Sequence, residues 1–361
     1  MLRRIFDGHE IRGLVAEAFA VEEHGIDVWS GVAGAIVTAG PVAVGVAAGD
    51  RAAGLVAGLG GLNAALCVPR AGLRTRLWWG TIGFAGGCAA ATLATLTTPH
   101  AWLLALVGLV WVAAWALLRA AGPAGALTGF AISAVYVVIG GLPASAQSFG
   151  SRELWYAVGA AAGLVLMLAA RHGPEPAEPV ARTSLAAVRE GLHHHRLRAH
   201  AIRLTVAVSV ATLIDRGLGM PHGYWIPLTV LAIVQPAPRA TEVRSLQRAA
   251  GTLVGVVAII VITAVTGDVW ALVACTGIAS LGMFALDERG YFWLVVTLTP
   301  TALLMLSVAD FQGFEVGVQR TLNSALGIVI GLVIAEVAGR IGHDQSELPA
   351  APAAASGTHP T

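Results

Sequence analysis

Charged and aromatic residues set among apolar runs are where this chain has the means to do chemistry. An ionisable side chain placed deep in lipid costs about 2.5–3.5 kcal/mol on insertion scales, so such a group is a functional candidate by default. Arg248 lies just before Gly251-Thr252, and Arg76 holds the comparable place before Gly80-Thr81. A guanidinium at either point has the fork geometry to hold a carboxylate in bidentate fashion. Arg152 and Arg320 each open an apolar run, the latter followed by Asn323 and Ser324; together they would form a positive exit vestibule for an anion. Plainer readings stand beside these. Arg76 and Arg248 suit membrane-edge anchors, and Arg320 suits a partner of Glu315 or of a lipid phosphate. Asp215, next to Arg216, is the candidate proton-coupling carboxylate, although an adjacent cation lowers a carboxylate's proton affinity and a local salt bridge is the commoner explanation. Tyr224 and Trp225 offer rings that would stack on an aromatic acid, with anchoring in the membrane interface as the first reading of such a pair.

Other chemistries find no footing. There are no paired carboxylates at metal spacing, no nucleophile elbow and no phosphate-cradling loop, so neither a catalytic site nor a cofactor is expected. His193, His194 and His195 are consecutive, and imidazoles so placed on a helix point in different directions, which argues against a metal site. Cys67, Cys88 and Cys275 are odd in number and each sits in an apolar run, as small packing residues do. A net charge of +1 argues against a nucleic-acid partner.

The elements that must position these residues are membrane helices. Of the 361 residues 56% are hydrophobic and only 12% charged, with a mean hydropathy of +0.75, the balance of a chain solvated by lipid. After a cytoplasmic amphipathic segment over 1–28, in which Ile11, Leu14, Val15 and Phe19 share one helical face, apolar runs follow at 29–49, 52–68, 77–97, 101–118, 123–143 and 154–170. A polar linker over 171–201 holds a short amphipathic helix. Six more runs then occupy 202–219, 223–236, 248–266, 269–286, 290–308 and 317–338. The expected architecture is all-α and polytopic, with about twelve spans as two six-helix units, 29–170 and 202–340, and a disordered tail over 341–361.

Every basic residue of the chain is Arg, and with both termini cytoplasmic eighteen of the 22 fall inside, leaving Arg51, Arg152, Arg216 and Arg320 outside. That skew is what the positive-inside rule expects. An offset of 168 residues also lays Arg152, Gly159 and Gly163 on Arg320, Gly327 and Gly331, and Trp102 on Trp270. With loop gaps, Asp50-Arg51 matches Asp215-Arg216 and Gly80-Thr81 matches Gly251-Thr252. Two units of six helices each start and finish on one side, so such repeats run parallel.

At His222-Gly223-Tyr224-Trp225-Ile226-Pro227-Leu228-Thr229, followed by Gln235-Pro236, Thr241, Arg248 and Gly251-Thr252, the chain resembles the fusaric acid resistance protein-like family of bacterial membrane proteins. That family includes aromatic acid exporters and is related to plant anion channels of the malate-transporter type. The resemblance is strongest over His200 to Leu286, and it lacks the large soluble domain of the longer members. It implies an inner-membrane protein that exports small organic, in part aromatic, acid anions, with the proton gradient as the driving force. A passive organic-anion channel and a non-transporting membrane scaffold subunit are the rival readings. The partners implied are small organic anions and the lipid bilayer, and assembly into a homo-oligomer stays open. Reporter fusions at His100 and Val269 are expected to lie on the membrane face opposite a fusion at His194; all three on one face would overturn the topology.

Overall fold

The structure is a computed structural model that describes residues 8–20, 25–142, 150–174, 176, 179–309 and 313–341. Among these residues the fold is entirely helical. Helix α1 (Gly8–Ala18) precedes α2 (Val28–Ala48), α3 (Arg51–Cys67), α4 (Leu73–Thr97), α5 (Ala101–Ala116), α6 (Gly122–Gly141) and α7 (Ser151–Ala170). Helix α8 (Val180–His193) leads to α9 (His195–Leu218), α10 (Trp225–Ile233), α11 (Pro238–Val265), α12 (Val269–Ala285), α13 (Tyr291–Ala309) and α14 (Gly313–Ile341). The tail expected over 341–361 lies outside the described residues apart from Ile341.

Local chemistry sets the helix ends. Asp27, Asp50 and Asp268 each cap a helix, their carboxylates accepting from the backbone N–H of Ser30, Ala53 and Ala271 at 3.0, 2.9 and 2.8 Å. Pro238 opens α11, where its missing N–H costs nothing. The histidine run does not continue one helix as the sequence suggests. His193 ends α8, His194 is extended, and His195 starts α9, with the rings of His194 and His195 stacked at 5.7 Å.

Among the described residues eight stretches are long and apolar enough to cross a membrane, so the chain is a multi-pass membrane protein. One of the eight is the 41-residue stretch Ala101–Gly141, which holds both α5 and α6 around a short 3-10 turn. The remaining apolar helices are shorter: α3 and α12 have 17 residues each and α10 has nine. A count of twelve spans therefore depends on helices of unequal length.

The two halves interlock. Helix α2 packs on α12 and α9 packs on α5, so the opening helix of each half lies against the fourth helix of the other. Within the halves α3 lies on α7 as α10 lies on α14, and α4 on α6 as α11 on α13. Lipid supplies no hydrophobic drive between helices, so close backbone approach must provide the adhesion. Gly159 shows how tight that approach is between α3 and α7, since a Cβ there would fall 1.8 Å from the carbonyl oxygen of Ala57. The amphipathic α1 docks on α11, with Glu17 to Arg239 at 3.1 Å and the Gln247 amide donating to the Ala18 carbonyl at 2.9 Å.

An ion cluster ties loops of both halves. Arg70 meets Asp27 at 2.9 Å, Asp287 at 2.7 Å and Glu288 at 3.1 Å, while buried Arg171 meets Asp287 at 2.5 Å and donates to the Val68 carbonyl. Burial alone would raise the Asp27 carboxyl, but hydrogen bonds from Ser30 and Arg70 hold it below the usual carboxylate range. Asp27's contribution is therefore complete at neutral pH and is lost in acid, as the pH falls through that lowered value. Asp287→Ala leaves Arg171 buried without a carboxylate and is expected to cost about 3–5 kcal/mol, measured as a lower unfolding midpoint of the detergent-solubilised protein.

Candidate anion-binding site

The second half is built around a short helix. Nine residues of α10 rise only about 14 Å, yet every one of them is buried. Irregular backbone at its ends is tolerated at such depth because protein surrounds it. At the leading end, His222 adopts a positive φ of 53° and its ring bonds Gln319 at 2.9 Å. Asn323 of α14 donates to the carbonyls of Pro221 and His222, both at 3.1 Å. Helix α14 thus holds the turn that presents Tyr224 and Trp225. At the trailing end, the Thr241 hydroxyl accepts from the Gln235 N–H at 3.0 Å and closes the elbow into α11.

Arg248 does not sit in that elbow, as its place in the sequence suggests. Helix α11 begins at Pro238, so Arg248 is its eleventh residue, about 15 Å along the axis, and only 2% exposed. Arg320 lies within the last apolar stretch at 1% exposure. Tyr224 and Trp225 are likewise buried, at 3% and 4%, which overturns the reading of them as interfacial anchors.

These four side chains line one cavity of about 110 Å³. A single water needs roughly 10–15 Å³, so there is room for a small organic ion. The rest of the wall is apolar, drawn from α3, α6, α7, α10 and α13, with Asn63 and Tyr156 as its other polar members. The carbon at the centre of the Arg320 guanidinium stands 3.6 Å from the centre of the Trp225 ring, a cation–π contact of about 2 kcal/mol or more when desolvated. Arg248 is close enough to Arg320 for the two charges to act on each other. Neither guanidinium has a hydrogen-bond or ion-pair partner among the described residues, and the indole N–H of Trp225 and the hydroxyls of Thr252 and Ser324 are also buried without one. Two cations and an indole N–H set in a largely apolar wall give this cavity the means to accept the carboxylate of an organic anion.

The other sequence candidates fall elsewhere. Arg76 donates to the carbonyls of Leu168 and Arg171 and so finishes α7, a structural task. Arg152 is buried near the start of α7 but does not line the cavity, so the expected pairing of Arg152 with Arg320 around one path is not formed. Asn323 acts on the turn and not on the cavity. Asp215 is buried in α9 beside a separate small cavity, and Arg216 turns from it to the Gly140 carbonyl, so no salt bridge joins the two. Asn63 and Tyr156 are joined by a hydrogen bond of 3.1 Å. Their membership in the wall depends on packing across 93 residues.

The family match falls on the half that carries Arg248 and Arg320. Residues 206–334 match the family model described as fusaric acid resistance protein-like. That stretch, about a third of the chain, is similar to the family. It runs from α9 into α14, past Leu286 where the sequence resemblance is strongest, and includes Arg248, Arg320, Tyr224 and Trp225. The chain is 30% identical over 132 residues to "Uncharacterized protein YhfK" of Escherichia coli, covering 36% of this chain and 19% of that protein. It is 30% identical over 176 residues to "Uncharacterized protein ORF2" of Neisseria gonorrhoeae, covering 44% and 41%. It is 30% identical over 131 residues to "Inner membrane protein YccS" of Escherichia coli, covering 36% and 18%. The chain thus spans less than half the length of each of these relatives. No solved structure matches it.

A charge-assisted hydrogen bond is worth about 1.5–3 kcal/mol, so Arg320→Gln is expected to weaken binding of benzoate about 10- to 100-fold in purified protein. Arg76→Ala is expected to lower the unfolding midpoint with little effect on that affinity. Equal benzoate affinity in wild type and Arg320→Gln would remove Arg320 from the site.

Proposed function

We propose that this chain is an inner-membrane transporter that moves small organic, in part aromatic, acid anions out of the cell through the cavity between its halves. The observation that carries this reading is the pair of buried guanidiniums, Arg248 and Arg320, that take no acceptor among the described residues while facing a largely apolar cavity. Arginine does not shed its proton, and a buried charge left unpaired costs several kcal/mol. An incoming carboxylate repays that cost, and the flanking Trp225 and apolar wall suit the body of an organic acid over a bare inorganic ion.

The placement in the inner membrane draws on the printed name of YccS. The wider architecture in this reading is two parallel six-helix units with both termini cytoplasmic. Its support is the exchange in which α2 lies on α12 while α9 lies on α5, each unit's first helix packed on the other's fourth, as an axis along the membrane normal requires. Asp215 is the carboxylate through which transport responds to protons, since a coupled cycle needs a group whose charge changes.

Flux from proteoliposomes tests the function. Vesicles holding the wild-type protein and loaded with labelled benzoate are expected to release it at least tenfold faster than vesicles carrying Arg248→Gln together with Arg320→Gln. Release equal to that of empty vesicles would leave the scaffold reading standing. Flux that follows voltage and ignores pH would favour the passive channel.

A further inference from the structure

Two cavities share one wall. Beside the arginine cavity lies a second of about 10 Å³, room for one water, bordered by Tyr136, Ser209, Thr212, Asp215 and Arg216. Tyr224 lines both. Asp215 presses on the backbone just before that tyrosine, for a Cβ at Gly223 would fall 1.7 Å from the Asp215 Oδ1 atom. Only glycine fits there, which keeps carboxylate and tyrosine in register.

The charged surroundings of Asp215 are few. Arg216 on its own helix is committed to the Gly140 carbonyl. Tyr136 from α6 and Tyr224 ahead of α10 are the titratable groups that face it, while α5 brings Leu104, Ala105 and Gly108 and α10 brings Pro227. Helix α8 joins α9 at His194, about 30 Å away along the axis. Among the charged residues of α14, Arg320 lies over Trp225, whose ring centre is 4.8 Å from that of Tyr224. The Tyr224 hydroxyl has no hydrogen-bond partner among the described residues, and it is close enough to Asp215 and to Arg320 to feel both charges.

We propose that the Tyr224 hydroxyl couples protonation of Asp215 to anion binding at Arg320, by donating its one hydrogen either to ionised Asp215 or to the anion. This inference rests on the anion-binding reading above. A phenol has a single hydrogen to give. Ionised Asp215 claims it and places a negative charge behind it; a proton arriving on Asp215 frees the hydroxyl and cancels that charge. Both effects have one sign, so the anion binds more tightly when Asp215 is protonated. By reciprocity a bound anion draws a proton onto Asp215 by the same factor.

Equilibrium binding of benzoate to the full chain in nanodiscs, followed from about pH 5 to about pH 8 where benzoate stays ionised, tests the coupling. Wild type is expected to bind on the order of tenfold more tightly at the acid end, within the usual span of linked sites. Asp215→Asn should bind with the tighter affinity throughout, and Tyr224→Phe should keep only the smaller pH dependence that the Asp215 charge itself imposes. In weak buffer, wild type should take up protons as benzoate binds and Asp215→Asn should take up none. Unchanged pH dependence in either variant, or no proton uptake by wild type, overturns the coupling and leaves the anion site standing. The uptake measurement needs no variant, so it decides even where Tyr224→Phe does not assemble. Absence of benzoate binding by wild type at every pH would sink the anion reading, and this coupling with it.

Discussion

A guanidinium cannot lose its proton inside a protein, so each arginine drawn into an apolar interior must be matched by negative charge or carry an unrepaid desolvation cost. This chain solves that problem in two ways. At the loop ends, Arg70 and Arg171 are matched from within by Asp27, Asp287 and Glu288. Around the cavity, Arg248 and Arg320 receive no carboxylate among the described residues, and the Trp225 ring offsets part of the cost for Arg320. The same residue type is therefore structural in one place and open for business with a solute in the other. The difference lies in whether the protein supplies the acceptor.

Packing explains why the space exists where it does. In the first half, α3 and α7 approach until backbone touches backbone, with Gly60 and Gly61 facing Tyr156, Ala160 and Gly159. In the second half the corresponding partner of α14 is the nine-residue α10, and Gly327 and Gly331 meet the side chains of Thr229 and Ile233. A short helix leaves its end inside the protein, and here that end delivers Tyr224 and Trp225 to the cavity. Asn323 and Gln319 hold the turn before it, so residues that never touch a solute fix the ring against which Arg320 lies.

Much of this was legible in the sequence. Hydropathy placed the apolar helices, including the amphipathic α1 and α8, because a bilayer leaves helices and closed barrels as its only spanning structures. Arg248, Arg320, Tyr224 and Trp225 stood out by type and spacing. Their depth did not. An arginine before an apolar run reads as an anchor, and Arg248 escaped that reading only because α11 starts ten residues earlier, at Pro238, with a polar turn that hydropathy assigns to a loop. Pseudo-repeat position also misled: Arg76 and Arg152 align with Arg248 and Arg320, but neighbouring carbonyls engage Arg76 and Arg152 sits outside the cavity wall. Equal place in a repeat gives equal depth and not equal surroundings. The pairing of Asn63 with Tyr156 carried no signal, since it arises from contact between segments far apart in the chain.

The division of the wall bears on what a solute would meet. The two arginines, Tyr224 and Trp225 all fall in the fusaric acid resistance protein-like region, whereas Leu55, Leu59, Asn63, Phe130 and Tyr156 come from the half before it. Charge is the part of an organic anion common to the whole class, and a bidentate fork binds it whatever the rest of the molecule is. Discrimination among acids must come from the remainder of the wall, where one methylene in an apolar pocket is worth about 1–3 kcal/mol and an unmatched polar group more. In the proposed transporter the second half therefore holds the charge, and the first half, with its single Asn63–Tyr156 polar pair in an apolar face, sets which bodies that charge is allowed to bring with it.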